Sequence, residues 1–412
     1  MTFRIQTALS SSRIQRRWLL AVYVIAIAVI TVQRGIFGFP NDYAIFRWSF
    51  YNLIDGRDLY ILHSGQAFDL FKYSPTFAVL FAPFALLPFV LGLFAWNLLN
   101  ALALFAALER VLPWTEARVA IGLVFLQILR SAQSAQSNAL VAACVIFAFF
   151  AFERRAPVTA AASIVLGAAV KVFPLAALSL AAFNAETRHR LRFFLIFGAI
   201  AIIALALPLA FIEPQALAAQ YRSWLALESS QRDWFGMSAM GLLHAWAGWP
   251  WPAWPLQIAG TLVLLLPLAV RGNRPSDREF RLRYLASLLL YMVIFNHKAE
   301  RQSAVIALAG LAIWFVNSPR TALRIALTGL VLLLTSLFAT LPLSVRQGFS
   351  PLVLEAFPIT LVWLVMQAEL LGLSSRDRAL APGRDRAMIT PGAAAVPAAA
   401  APRPVDRHRH LA

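Results

Sequence analysis

Charge is what this 412-residue chain has least of. Asp, Glu, Lys and Arg together make up 13% of it, about half the ~25% that a soluble domain carries. So few ionised groups cannot cover a water-facing surface, and a soluble globular fold is excluded. Cysteine is almost absent. The single Cys144 lies inside an apolar run and has no partner for an intramolecular disulfide, which leaves it a packing role. Acidic residues are also scarce, with 19 Asp and Glu against 36 Lys and Arg, giving a net charge of +17.

Apolar residues are abundant instead. They reach 60% of the chain, with a mean hydropathy of +0.70, where a soluble domain has about 45–50%. Surface-to-volume scaling gives a soluble protein no place for that surplus, so lipid is the natural solvent. The excess of positive charge does not point to nucleic acid. The arginines fall in short clusters between apolar runs, as cytoplasmic loops of membrane proteins do. Arg13, Arg16 and Arg17 precede the run Trp18 to Val32, and no small-residue cleavage site follows it. That run reads as an uncleaved first helix.

The fold expected is an all-α, polytopic membrane bundle of about 12 transmembrane helices, each needing about 20 residues, fewer where it stops at a cavity. Spans are expected near 18–36, 88–108, 118–130, 138–153, 157–170, 172–185, 192–212, 254–270, 284–296, 303–317, 321–341 and 352–373. Residues 1–17 then form a cytoplasmic N-terminus. Residues 18–373 form the membrane domain, with outer loops at 37–87 and 213–253. The Arg-, Pro- and Ala-rich stretch 374–412 reads as a disordered cytoplasmic tail. The alternation of arginine clusters fits both termini inside. The run Pro75–Pro88, broken by Pro83, reads as a re-entrant or interface-lying segment. The run 157–185 has arginines at both ends and Lys171 in its middle, so it reads as a hairpin with Lys171 at the outer apex.

With this topology the unusual polar residues collect on the outer side: Asn41, Asp42 and Arg47; Lys72 and Tyr73; Arg130, Gln133, Gln136 and Asn138; Lys171; His244; and His297, Lys298, Glu300 and Arg301. Polar groups at membrane depth are costly and tend to be functional. The set reads as several cations with one well-placed carboxylate. Cations suit a phosphate and a lone carboxylate suits a general base, a pairing that fits sugar transfer from a lipid phosphate. The plainer readings are a loop carboxylate or helix N-cap for Asp42, and a lysine reaching the interface for Lys171. For Gln136 and Asn138 the plainer reading is helix-to-helix hydrogen bonding. Asp55 and Asp58, on either side of Gly56, look like turn residues. Trp234, Trp246, Trp249, Trp251 and Trp254 crowd one outer loop and read as interface anchors. His408 and His410 in the tail are spaced like a weak metal site.

These residues fall in a familiar order: Asn41-Asp42-Tyr43, Gly56-Arg57-Asp58-Leu59-Tyr60, Phe71-Lys72-Tyr73-Ser74-Pro75-Thr76-Phe77, Trp96-Asn97-Leu98-Leu99-Asn100, Gln136-Ser137-Asn138, Lys171-Val172-Phe173-Pro174 and Asn296-His297-Lys298-Ala299-Glu300. The sequence resembles glycosyltransferase family 87, of the GT-C superfamily, from about residue 18 to 373. It departs from that family where a glycine usually stands ahead of the glutamine, which leaves open how tight the turn before Gln136 is. The resemblance implies an inverting transferase that moves a sugar, often mannose, from a polyprenyl-phosphate carrier to a lipid or glycan acceptor on the outer face of the cell membrane, without nucleotide sugar, cofactor or metal. It implies Asp42 as the catalytic base. Lys171, His297, Lys298 and Arg130 are then expected at the donor phosphate, and Arg47, Lys72, Tyr73, Gln136 and Asn138 at sugar or acceptor. A transporter or flippase of a lipid-linked sugar is the alternative. It would use the same cations without a base.

Overall fold

A computed structural model describes residues 2–184, 186–230, 235–250, 252–270, 277–349 and 352–373. The described residues are helical, without strands. In chain order the helices are α1 (Thr2–Gly35), α2 (Asn41–Ile54), α3 (Pro75–Leu80), α4 (Ala82–Ala85), α5 (Phe89–Val111), α6 (Trp114–Gln133), α7 (Asn138–Glu153), α8 (Pro157–Val170), α9 (Thr187–Ala206), α10 (Pro214–Ser230), α11 (Ala239–Ala247), α12 (Trp254–Val270), α13 (Arg278–Ile294), α14 (Ala304–Val316), α15 (Ala322–Leu332), α16 (Leu343–Phe349) and α17 (Ala356–Leu370). A 3₁₀ segment, Phe173–Phe183, follows α8.

Proline and small polar residues set many of these boundaries. Pro75 and Pro157 open α3 and α8 at the first turn, where a missing N–H costs nothing. Ser74 caps α3, Ser238 caps α11, Asp277 caps α13 and Thr321 caps α15, each side chain accepting a backbone N–H of the first turn.

The core lies around α7, α13 and α14, most of whose residues are buried. The periphery is apolar too. On α1, Trp18, Val22, Ile25, Val29 and Val32 form one exposed stripe at helical spacing, while Tyr23, Ile27 and Ile30 face inward. In Thr187–Ala210 only 11% of the most apolar stretch is buried. A helix that apolar and that exposed has its partner in lipid, not water. Three helical stretches, Ser12–Gly35, Phe89–Val111 and Thr187–Ala210, are long and apolar enough to cross a membrane, and seven shorter apolar helices accompany them.

Several expectations are adjusted. The first helix does not begin at residue 18 but runs unbroken from Thr2. The 172–185 stretch is a 3₁₀ segment rather than an α-helix, beginning beside Pro174, whose ring removes a backbone donor. The 213–253 stretch is not plain loop: it carries α10 and α11. The run 75–88, expected as a re-entrant or interface-lying segment, folds as the short α3 and α4, with α3 buried within the protein. The tail 374–412, with His408 and His410, and the residues Trp234, Trp251, Arg271 and Arg274 lie outside the described residues.

The charged clusters segregate. Arg16 bonds Glu109 at 2.6 Å, Arg118 bonds Gln15 at 3.1 Å, and Arg278 donates to the Val111 carbonyl at 2.7 Å. Arg281 pairs with Glu153 at 2.5 Å, and a cavity there is lined by Arg155, Asn184, Glu186 and His189 as well as Arg281. Arg155 and Asn184, from the two ends of the 157–185 run, thus sit together. Phe183 also meets Phe149 near the end of α7, while Lys171 bonds Asn138 at the start of α7. The chain therefore doubles back at Lys171.

Candidate active site

The far end of the bundle from those arginines holds a cavity of about 700 Å³. Its polar wall carries Asp42, Asp69, Lys72, Gln136, Lys171, Glu228, Lys298 and Glu300, and its apolar wall includes Ile45, Phe46, Val170, Val172, Phe173 and Trp224.

Asp42 stands in the first turn of α2. It does not cap that helix, because Pro40 occupies the cap position. Its Oδ2 instead accepts a hydrogen bond from Gln136 Nε2 at 2.7 Å. The same nitrogen donates to Glu300 Oε2 at 3.0 Å. Gln136 reaches this point because α6 ends in a tight turn. The Ala135 N–H bonds the Ala132 carbonyl and the Gln136 N–H bonds the Ser131 carbonyl, a two-bond helix stop that forces Ala135 to φ +53°. The turn is tight even with alanine where glycine would be relaxed. Behind Gln136, Asn138 Nδ2 donates to Gln136 Oε1 at 3.4 Å, and Asn138 Oδ1 accepts from Lys171 Nζ at 2.8 Å. Lys171 also lies 5.9 Å over the Tyr73 ring.

Burial and the neighbouring Glu300 charge raise the Asp42 carboxyl to about 6, against the pull of the Gln136 hydrogen bond and of Lys171. Burial lowers Lys171 from its ordinary value, and Glu300 and Asp42 work against that shift. Burial also holds the Tyr73 phenol well above its usual range, so it stays a neutral donor.

The other cations are engaged. Lys72 pairs with Asp69 at 2.8 Å, and Lys298 pairs with Glu228 at 2.8 Å. The expectation of several cations around one carboxylate is thus corrected: among the described residues the wall carries four carboxylates and three lysines. The partnerships of Glu228 with Lys298 and of Glu300 with Gln136 carry no sequence signal, because they join segments far apart in the chain. Only Asp69, three residues before Lys72, had a local signal.

The structure brings Asp42, Lys72, Tyr73, Gln136, Lys171 and Lys298 to the cavity and places Asn138 directly behind it. It does not bring Arg47, Arg130 or His297 to the wall. Arg47 donates to the Ala85 carbonyl at 3.1 Å, anchoring α2 to α4. Arg130 donates to the Thr335 carbonyl at 3.0 Å, on the α15 side of α6. The His297 ring meets Gln257 of α12 at 3.1 Å, and burial and Lys298 lower its proton affinity. The loop that carries it is held by backbone bonds from Gly236 to the His297 carbonyl and from Met237 to the Ala299 carbonyl. Asp58 behaves as the turn residue expected, accepting from the Tyr60 N–H and from Ser223 of α10.

Among described residues no group of three or more His, Cys, Asp or Glu is placed to hold a metal ion. Chemically, the cavity offers two carboxylates held by one amide, of which Asp42 has its proton affinity raised, a lysine beside them, and an apolar wall. None of the curated proteins compared with this chain matches it. The model of the family described as Glycosyltransferase family 87 does match, over residues 71–296. That stretch contributes Lys72, Tyr73, Gln136, Asn138, Lys171 and Asn296, while Asp42 precedes it and Glu300 follows it. Covering more than half of the chain, the match shows that this apolar helical protein belongs to glycosyltransferase family 87 and is a membrane glycosyltransferase.

Proposed function

We propose that the protein transfers a sugar, mannose by the resemblance, from a polyprenyl-phosphate carrier to a hydroxyl of a lipid or glycan acceptor, inverting the anomeric centre. The observation that carries this reading is Asp42, held by Gln136 in a cavity that also presents Lys171. The acceptor hydroxyl is a poor nucleophile until its proton is taken. Asp42 removes it as the oxygen attacks the anomeric carbon, and the carbon–phosphate oxygen bond breaks on the opposite face. Lys171 stabilises the phosphate that leaves. The apolar wall at Val170, Val172 and Phe173 suits an isoprenoid chain. Lys72 and Lys298 serve the substrate only by exchanging their present carboxylate partners, so Lys171 is the first contact of the phosphate. The twelve-crossing path, both termini inside and the cavity facing the exterior or periplasm belong to the same proposal. They are supported by the separation of the arginine clusters from the cavity.

The test is transfer in proteoliposomes supplied with polyprenyl-phosphate-mannose and extracted membrane lipids. Asp42→Asn removes the base while keeping its size, and turnover should fall by about 10²–10⁴-fold. Lys171→Ala should reduce kcat/KM by about ten- to a hundredfold, the worth of a lost charge-assisted contact. Near-normal turnover in a monodisperse Asp42→Asn protein removes the base from the mechanism and returns the flippase reading, which needs no proton transfer.

A further inference from the structure

Glu300 is the feature of the cavity that the transfer chemistry does not use. One nitrogen, Gln136 Nε2, holds both Asp42 Oδ2 and Glu300 Oε2, at 2.7 and 3.0 Å. Two carboxylates that share a donor sit close enough for each to feel the charge of the other. The cations flanking Glu300 in sequence do not neutralise it. Lys298 is turned to Glu228 at 2.8 Å, and Arg301 is turned to the buried Glu355 at 2.9 Å. The charge of Glu300 is thereby left to act on Asp42 and Lys171.

The other charged groups facing Asp42 are few. From the loop before α3 come Asp69, already paired with Lys72, and the neutral Tyr73. From the end of α8 comes Lys171, and from α10 comes Glu228, paired with Lys298. On α2 itself Arg47 is turned to the Ala85 carbonyl, and His297 on the Glu300 loop is turned to Gln257. Among the described residues, with every group ionised, the lining groups without an ion-pair partner are Asp42, Glu300 and Lys171.

We propose that Glu300 is a positioning residue for the transfer, which fixes the orientation of the Asp42 carboxylate through the shared Gln136 amide and sets its proton affinity by charge. Its carboxylate keeps negative potential at Asp42, so Asp42 draws the acceptor proton more strongly than a lone surface aspartate. The same charge favours the ammonium form of Lys171, the group that meets the phosphate. The present raised proton affinity of Asp42, to which Glu300 contributes, agrees with this. The proposal rests on Asp42 being the base, yet the coupling itself can be read without any substrate.

The experiment is an infrared titration of the purified full chain in nanodiscs, following the protonated-carboxyl band that Asp42→Asn abolishes. In E300Q the midpoint of that band should fall by about one pH unit, the scale of one close like charge. E300D, which keeps the charge, should leave it near wild type. In transfer assays the acid limb of the pH–rate profile should move down with it, while the plateau rate falls because the base is weaker. An unmoved midpoint in E300Q overturns the proposal, whatever happens to turnover. A rate loss with an unmoved acid limb likewise overturns it and leaves a structural role. If E300Q does not extract as a monodisperse protein, Gln136→Leu reads the same joint from the other side. Loss of the amide that stabilises ionised Asp42 must raise the midpoint, and an unchanged value overturns the coupling. A moved midpoint together with normal turnover in Asp42→Asn would keep the coupling and reject the transfer reading.

Discussion

At the scale of single residues, Asp42, the proposed base, shows how burial raises the proton affinity of a carboxylate. Its pKa is raised to about 6, first by burial and then by Glu300, from an ordinary value of about 3.9. Transfer should therefore rise as pH increases through about 6, as the carboxylate appears, and level off above it. The stability sign runs the other way. A carboxyl that binds its proton more tightly when folded disfavours the folded state once it is ionised. That cost is present above about pH 6 and is relieved as pH falls from there toward the unfolded value. Asp42→Asn should accordingly raise Tm at pH 7.5 while the gain shrinks at pH 4.5, measured by thermal denaturation in detergent. A Tm gain of equal size at both values would count against burial as the cause. Ala135 is the second telling residue. Its φ of +53° is the conformation glycine adopts freely, and the chain tolerates alanine there because that turn delivers Gln136 to Asp42.

Among elements, α2 matters most because it carries Asp42. The seat of α2 is built by Tyr43, whose hydroxyl donates to the Phe84 carbonyl at 2.9 Å, and by Arg47 and Tyr51, which both donate to the Ala85 carbonyl. Gly92 in the first turn of α5 is what permits this. A Cβ there would lie 2.1 Å from the Tyr43 hydroxyl and 2.4 Å from the Phe84 carbonyl oxygen. Gly92→Ala should cost about 1–3 kcal/mol through overpacking, and turnover should drop with it because the start of α2 must shift. Gly122 is the matched control on α6: nothing lies within 4 Å of its Cβ position. Gly122→Ala should leave activity unchanged and add about 0.5–1 kcal/mol of stability. Thermal unfolding and transfer rates of the two variants, side by side, separate crowding from helix propensity. Equal behaviour would show that α2 is not seated on Gly92.

For the whole molecule the question is which end faces which side of the membrane. The arginine-bearing ends gather at one pole, linked by Arg16–Glu109, Arg278–Val111 and Arg281–Glu153. The cavity lies at the other pole. The proposed orientation, with the cavity outside, follows from applying the positive-inside rule to that arginine pole. In a Cys144→Ala background, Phe68→Cys, an 82% exposed position beside the cavity rim, should react with a membrane-impermeant maleimide on intact cells. Arg155→Cys should react only after permeabilisation. Labelling in the reverse order would invert the orientation and remove an exterior-facing reaction.

Part of this was legible from the sequence alone. Apolar run length and arginine spacing are one-dimensional quantities, and they place the helices 138–153, 157–170 and 254–270 with the observed bounds. The hairpin at Lys171 followed from charge at both ends of one run, and Asp42, Gln136 and Lys171 stood out as polar residues beside apolar ones. Pairing, by contrast, is a three-dimensional property. Only packing decided that Gln136 joins Asp42 to Glu300, which lies 164 residues beyond Gln136 in the chain, that Lys298 is spent on Glu228, and that Arg47, Arg130 and His297 face carbonyls and an amide away from the cavity. The physical reason is the range of the forces. Hydrophobic periodicity acts within one helix and can be read along it, whereas the partner of a buried charge is set by whichever distant segment the fold brings within about 3 Å.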